Sequence, residues 1–290
     1  MTALLAGTST SIQYGGLTFG AQDDDGVVWK LTGFDGWGSP DSTIDVQQKP
    51  RQRGAWAGDA FSVERYLTVT LLLRAPSATL LNQAIENLSS AVDFAQQPMT
   101  VTEAGFTRTV NVRRKGGVIP GKMNSFIAAP SFQVVATDPR KFGTPMVGTT
   151  GLPTSSGGLV VPTAGLVVPA AGLIIPAAVT SGDLEMDNPG NETGPVMLRI
   201  DGPCTGPQIT HVGSGLTLTF ASSLVLGAGE YLLIDMEKHT ALEQGQASRS
   251  RFITSRQWFG LEPGPNTFSF AASGYDAGAQ LTVTATPAWR

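Results

Sequence analysis

The sequence predicts an all-β protein of two domains that carries a single amphipathic helix. Short runs rich in β-branched and aromatic residues recur along the chain, parted by turn-forming residues. The 35 glycines and 19 prolines are scattered, as many short strands joined by tight turns require. One stretch only, from Ser77 to Gln97, changes from the period of a strand to that of a helix. A chain of 290 residues can build two ordinary domains, each with its own core.

The first elements alternate apolar and polar residues. Ser11-Ile12-Gln13-Tyr14 leads through Gly15-Gly16 into Leu17-Thr18-Phe19-Gly20. Asp23-Asp24-Asp25-Gly26 is a turn, followed by the strand Val27-Val28-Trp29-Lys30-Leu31. The aspartates lack the alternating spacing and distal Glu of a calcium loop, so a solvated hairpin tip is predicted. Gly33 to Pro40 holds three glycines, two aromatics and a proline, which predicts an irregular loop pinned by Phe34 and Trp37. Gln47 to Gly58 has the same character, with Trp56 near glycines and Arg51 and Arg53 beside it. Two such loops suit a junction between subunits, or they plug the end of their own barrel.

Tyr66 to Arg74 is the clearest strand of the chain. Ser77 then fits an N-cap, and Leu80, Leu81, Ala84, Ile85, Leu88, Ala91 and Val92 recur at helical spacing up to Gln96-Gln97-Pro98. Such a helix packs its stripe across a sheet. Met99 to Thr102 and Thr107 to Arg113 read as a hairpin about Glu103-Ala104-Gly105. Ser131 to Ala136 is a further strand, and Thr137-Asp138-Pro139-Arg140 closes the module at a turn. The first domain is therefore expected over residues 1–146.

Residues 147–183 are expected to form a linker or packing ribbon. Gly158-Leu159-Val160-Val161-Pro162-Thr163-Ala164 is followed by Gly165-Leu166-Val167-Val168-Pro169-Ala170-Ala171 and Gly172-Leu173-Ile174-Ile175-Pro176-Ala177-Ala178. A proline in every seven-residue unit forbids a continuous coiled-coil helix. The segment is strongly apolar and almost uncharged, which argues against a free solvated linker. Leu159, Val160, Leu166, Val167, Leu173 and Ile174 are the residues such a ribbon would pack, the alternative being a slipped repeat tolerated as a joint.

The second domain is expected over residues 184–290. Val196 to Ile200, Leu216 to Phe220, Tyr231 to Asp235, Thr267 to Phe270 and Leu281 to Thr286 are short strands separated by Gly, Pro and Asn turns. That spacing argues for an antiparallel β-sandwich.

Three groups of residues together resemble the distal tail protein family of siphophages, the Dit-like tail components. They are Leu31-Thr32-Gly33-Phe34-Asp35-Gly36-Trp37-Gly38-Ser39-Pro40 with Gln48-Lys49-Pro50-Arg51-Gln52-Arg53-Gly54-Ala55-Trp56, then Thr137-Asp138-Pro139-Arg140-Lys141-Phe142-Gly143, and the turns Asn188-Pro189-Gly190-Asn191 and Trp258-Phe259-Gly260-Leu261-Glu262-Pro263-Gly264-Pro265-Asn266 ahead of Ala288-Trp289-Arg290. The resemblance implies an N-terminal β-barrel or sandwich that forms a ring, and a C-terminal galectin-like or carbohydrate-module-like sandwich. It implies a hexameric homo-oligomer at the virion's tail tip. Its partners would be the tail tube protein, tail-associated tip proteins and receptor-binding proteins. Trp37, Arg51, Arg53 and Trp56 are the candidates for the subunit or tube contact.

Nothing in the sequence suggests an enzyme or a cofactor. His211 and His239 lack metal-ligand spacing. Gly213-Ser214-Gly215 precedes a strand rather than the helix of a nucleophile elbow. Asp235 and Glu237 share a strand face but no evident cleft. Cys204 sits among prolines and glycines without a basic neighbour. The net charge of −4, with no basic run longer than Arg113-Arg114-Lys115, argues against nucleic-acid binding. No apolar run reaches the roughly 18 residues of a membrane span, and the N-terminus does not read as a signal peptide, so synthesis in the host cytoplasm is expected. Charged residues are only 14%, against about 25% in ordinary domains, which fits either a surface covered by neighbours or a Gly/Thr/Ser-rich β protein. A second reading makes the C-terminal sandwich an accessory host-glycan adhesin, with Trp258 and Tyr275 as stacking platforms.

Overall fold

The computed structural model describes residues 3–4, 10–156, 178–180, 182–274 and 276–290. It divides into two compact units, Met1–Thr144 with Trp289–Arg290, and Pro145–Ala288. Both are built almost entirely of antiparallel strands, and the described residues contain one α-helix.

The N-terminal unit is a closed barrel. From Thr10–Tyr14 the pairing runs through Gln97–Glu103, Phe106–Ile119, Ser131–Ala136 and Arg65–Arg74 to Val28–Asp35. Closure comes from one bent segment. Leu17–Phe19 pairs with Thr10–Tyr14, while Ala21–Gln22 pairs with Val28–Asp35 on the opposite flank. Gly20 makes the bend at φ +96°, where a Cβ would stand 2.9 Å from the Thr10 carbonyl oxygen. Alternation decides which residues face inward. Along Arg65–Arg74 the buried positions are Arg65, Leu67, Val69, Leu71 and Leu73.

The helix, Ala78–Ala91, packs Leu81, Ala84, Leu88 and Ala91 into this same core. Ser77 caps it, its hydroxyl accepting the Leu80 N–H at 3.2 Å. It ends earlier than its sequence periodicity suggests, because Gln97-Pro98 is already the start of a strand. The Asp23 turn is tied to the core, accepting from Val27 N and from the buried Trp29 indole, both at 2.8 Å.

Two expectations need correction. The stretch from Gly33 is not wholly a loop: the strand persists to Asp35 because a bulge at Thr32 absorbs the irregularity, its hydroxyl donating to the Thr70 carbonyl at 3.0 Å. Gln47 to Gly58 is not a loop either. Ser42–Gln48 and Ala55–Ser62 form a two-stranded arm, and Lys49 to Gly54 supply only its turn. The β-branched and aromatic residues on both sides of that turn outweigh the glycines in its middle.

The C-terminal unit is a sandwich of two antiparallel sheets. One sheet runs Met146–Gly151, Gln280–Ala285, Val196–Asp201, Tyr231–Asp235, Thr240–Glu243 and Ala247–Ser248. The other runs Asp183–Asn188, Gly264–Ala272, Pro207–His211, Leu216–Phe220 and Ile253–Arg256. Their inward residues, among them Leu198, Ile200, Ile209, Leu218, Leu232, Phe268 and Phe270, share one core. Met146–Gly151, most of which the sequence assigns to the connecting segment, is an edge strand here because it pairs along Gln280–Ala285. Thr154–Ser156 pairs with Ala178–Thr180 at the two ends of the seven-residue repeats. The repeats themselves, with Leu159, Val160, Leu166, Val167, Leu173 and Ile174, lie outside the described residues, as does Tyr275.

Candidate assembly interface

The arm between residues 42 and 62 has the wrong surface for a free hairpin. Every residue from Ser42 to Gln48 is exposed, and every one from Trp56 to Ser62. Residues directly opposite in the ladder share a face. Ile44 and Val46 therefore lie with Ala60 and Ala57 on one side, while Trp56 and Phe61 lie with Gln47 and Thr43 on the other. Both faces carry apolar side chains into solvent, with Trp56 at 56% and Phe61 at 64% exposure. A lone two-stranded ribbon is marginal in water. Apolar side chains on both of its faces call for a covering surface on each.

The root of the arm is held much more firmly than its blade. Arg65, at the start of the returning strand, is almost completely buried. Its Nε donates to the Pro139 carbonyl at 3.0 Å and its Nη1 to the Gly36 carbonyl at 2.8 Å and the Gly38 carbonyl. Lys141 is buried beside it and donates to the Trp37 carbonyl at 3.0 Å and the Gly38 carbonyl at 3.4 Å. Two buried cations thus grip three consecutive carbonyls of the segment that enters the arm. Burial, with repulsion from Arg65 and Arg108, pushes the Lys141 ammonium down to about 8, opposed by Glu103. Burial likewise lowers Arg65.

The sequence signature around Asp138 is the other half of this clamp. Arg140 folds back on Asp138, with Nε donating at 2.9 Å and Nη2 at 2.6 Å, and lies over Phe142. That local pair fixes the turn that presents the Pro139 carbonyl and Lys141. Gly36 is obligatory at the root. Its φ is +85°, and a Cβ there would stand 1.9 Å from the Tyr66 carbonyl oxygen.

The four interface candidates read from the sequence separate into two groups. Trp37 is an anchor within its own domain: its indole donates to Glu103 at 2.9 Å, its ring packs on Phe34, and Lys141 lies over it. Arg51 and Arg53 lie in the exposed turn at the tip, Arg51 with φ +59°. Trp56 stands exposed on the blade. Arg65 went unnoticed in the sequence, where a single arginine at a strand start carries no signal.

In the C-terminal unit the polar groups are structural. Asn266 Nδ2 donates to the Glu262 and Gly264 carbonyls at 2.8 and 2.7 Å, so its Oδ1 is the acceptor. That oxygen takes the Glu262 N–H and the His211 Nε2–H, both at 2.9 Å. His211 Nδ1 then accepts from the Ser214 hydroxyl at 2.7 Å. No carboxylate is bonded to this imidazole, which is packed between Phe259 and Phe268. Both ring nitrogens are thus held by neighbouring side chains, and the Ser214–His211 contact staples the turn at Gly213 to Gly215. Asn188 ties its turn similarly, donating to the Glu192 and Leu261 carbonyls. Of the glycan-stacking candidates, Trp258 is half-buried, and one face is covered by His239 at 4.7 Å between ring centres.

Residues 190–289 match the family model described as siphovirus-type tail component, C-terminal domain. The whole chain is similar in fold to the Dit (gp 19.1) protein of SPP1, described as a hub of the adsorption apparatus in phages that infect Gram-positive bacteria. That likeness has a TM-score of 0.66 at 13% identity and covers 96% of this chain and 99% of that one. A chain of the phage P2 baseplate in its activated conformation with Ca matches with a TM-score of 0.48 at 10% identity, covering 95% of this chain and 97% of that one. No curated protein matches the sequence. These findings bear out the resemblance to distal tail proteins read from the sequence.

Proposed function

We propose that this protein is the ring-forming hub at the distal end of a siphovirus-type tail, joining the tail tube to tip and host-recognition proteins. The observation that carries the reading is the arm. It projects apolar side chains on both faces from a root clamped by Arg65 and Lys141, and a subunit with such a feature is complete only when its neighbours cover it. Head-to-tail contacts of this kind close into a ring when the rotation allows. The fold shared with SPP1 Dit supports the same reading, and six copies are the symmetry the resemblance implies. The C-terminal sandwich supplies a second rigid surface for tip and receptor-binding proteins. The role is mechanical, with no chemical step. Antibodies raised against residues 184–290 test the location directly. Labelling at the end of the tail remote from the capsid is expected, and labelling along the tube or on the head would overturn the reading.

A further inference from the structure

Resting on the ring reading, the observations go further and locate where the arm docks. The same barrel displays a second apolar surface that its own arm leaves bare. Ile119, Met123 and Phe126 are 62%, 70% and 52% exposed. They are not on a slack loop. Met123 and Asn124 both donate through their backbones to the Ile127 carbonyl, and Asn124 Oδ1 accepts from Phe126 N and Ile127 N at 2.8 Å each. The Phe126 carbonyl accepts from Ala75 N, and Lys122 is tied to Asn82 at 2.9 Å. Phe126 also borders an open groove of about 570 Å³ whose walls include Val28, Arg74 and Pro76. A loop this well tied could bury its apolar residues, yet it holds them outward, as a preformed binding surface does.

Charge distinguishes the occupant. The blade of the arm carries Asp45 and Asp59, and its tip carries Lys49, Arg51 and Arg53. The second surface carries Arg74 on its groove wall, and Lys122 directly precedes Met123. Gly26, on the groove wall, follows Asp24 and Asp25 directly. Acids on the blade thus have a basic counterpart, and cations at the tip have an acidic one. Pairing two arms with each other instead would bring like-charged tips together.

We propose that the arm of one copy docks onto the Ile119–Met123–Phe126 surface of the next. The blade acids lie towards Arg74 and Lys122, and the tip cations towards Asp24 and Asp25. The contact is heterologous, a knob on one subunit and a socket on its neighbour, and its repetition closes the ring.

A complementation experiment on the full chain tests this. The knob variant is Trp56→Ala with Phe61→Ala. The socket variant is Met123→Ser with Phe126→Ser. All four side chains are more than half exposed, so each variant should keep the wild-type melting temperature. Each alone is expected to be a monomer in native mass spectrometry at concentrations where the wild type assembles. An equal mixture is expected to give a 1:1 dimer and nothing larger, since one intact arm meets one intact socket. In a second pair, Lys122→Glu should weaken assembly at least tenfold, and adding Asp45→Lys should restore it. If the knob variant is monomeric while the socket variant assembles normally, the ring reading stands and the socket is wrong. If the two monomers fail to dimerise on mixing, the head-to-tail contact is wrong. A wild type that never assembles removes both.

Discussion

Removing the Trp56 side chain should separate assembly from folding. Trp56 is 56% exposed on a ribbon whose both faces meet solvent, so the isolated subunit loses little by its truncation. A surface change of this kind moves folding stability by about 0.5 kcal/mol or less. Covering the exposed part of a Trp removes roughly 80 to 140 Å² from water, worth about 2 to 3.5 kcal/mol per contact. Trp56→Ala should therefore weaken each subunit contact about 30- to 300-fold. Sedimentation velocity across a concentration series reads the assembly midpoint, and thermal melting of the same sample reads the fold. A raised midpoint with an unchanged melting temperature is the expected result. An unchanged midpoint would mean that the arm is not buried on assembly, and a large fall in melting temperature would mean that it belongs to the core of its own domain.

Three further outcomes follow from the clamp and the buried asparagines. Lys141 has its ammonium pushed down to about 8 from an ordinary 10.5, so the unfolded chain binds more protons across that interval and stability rises with pH there. Relative to Lys141→Met, the N-terminal domain should gain up to ~3 kcal/mol between about pH 7 and about pH 11, read by urea unfolding in a Trp258→Phe background; a difference flat with pH would refute the buried-charge account. Gly36→Ala places a Cβ 1.9 Å from the Tyr66 carbonyl oxygen at a positive φ, and should cost more than about 1 kcal/mol and abolish assembly; unaltered ring formation would show that the root conformation is dispensable. Asn266→Ala strips partners from His211, the Glu262 N–H and two carbonyls in a buried turn. It should destabilise the C-terminal domain by about 2 to 4 kcal/mol, while the N-terminal domain keeps its own unfolding transition in the same urea titration.

Local periodicity made much of the fold legible. The Ser77 cap, the Leu81–Ala84–Leu88 stripe, the hairpin about Ala104-Gly105 and the strand ending at Arg74 all follow from patterns a few residues long. The arm was missed because Gly54, Gly58 and Pro50 read as loop, although the ladder of Ile44, Val46, Trp56 and Phe61 needs only a short glycine turn at its tip. The candidate interface was half visible. Exposed Trp56 and the tip arginines stand out as aromatic and basic residues in a glycine-rich setting. Trp37 has the same composition about it, yet it is an anchor, because its partner Glu103 comes from a strand 66 residues away. Arg65 and Lys141 acquire meaning only when the barrel brings distant segments together, and Ile119, Met123 and Phe126, though close in sequence, gain theirs only from the exposure that the fold gives them. No spacing in the chain encodes those meetings.

The central claim is that the arm makes this subunit incomplete by itself. Native mass spectrometry of the purified full chain, with negative-stain microscopy of the same sample, tests it most directly. A closed ring with a central hole is predicted, six copies being the expected mass. A monomer persisting at every accessible concentration, with the arm's amide hydrogens protected from exchange, would contradict it, because the arm would then be covered without any neighbour.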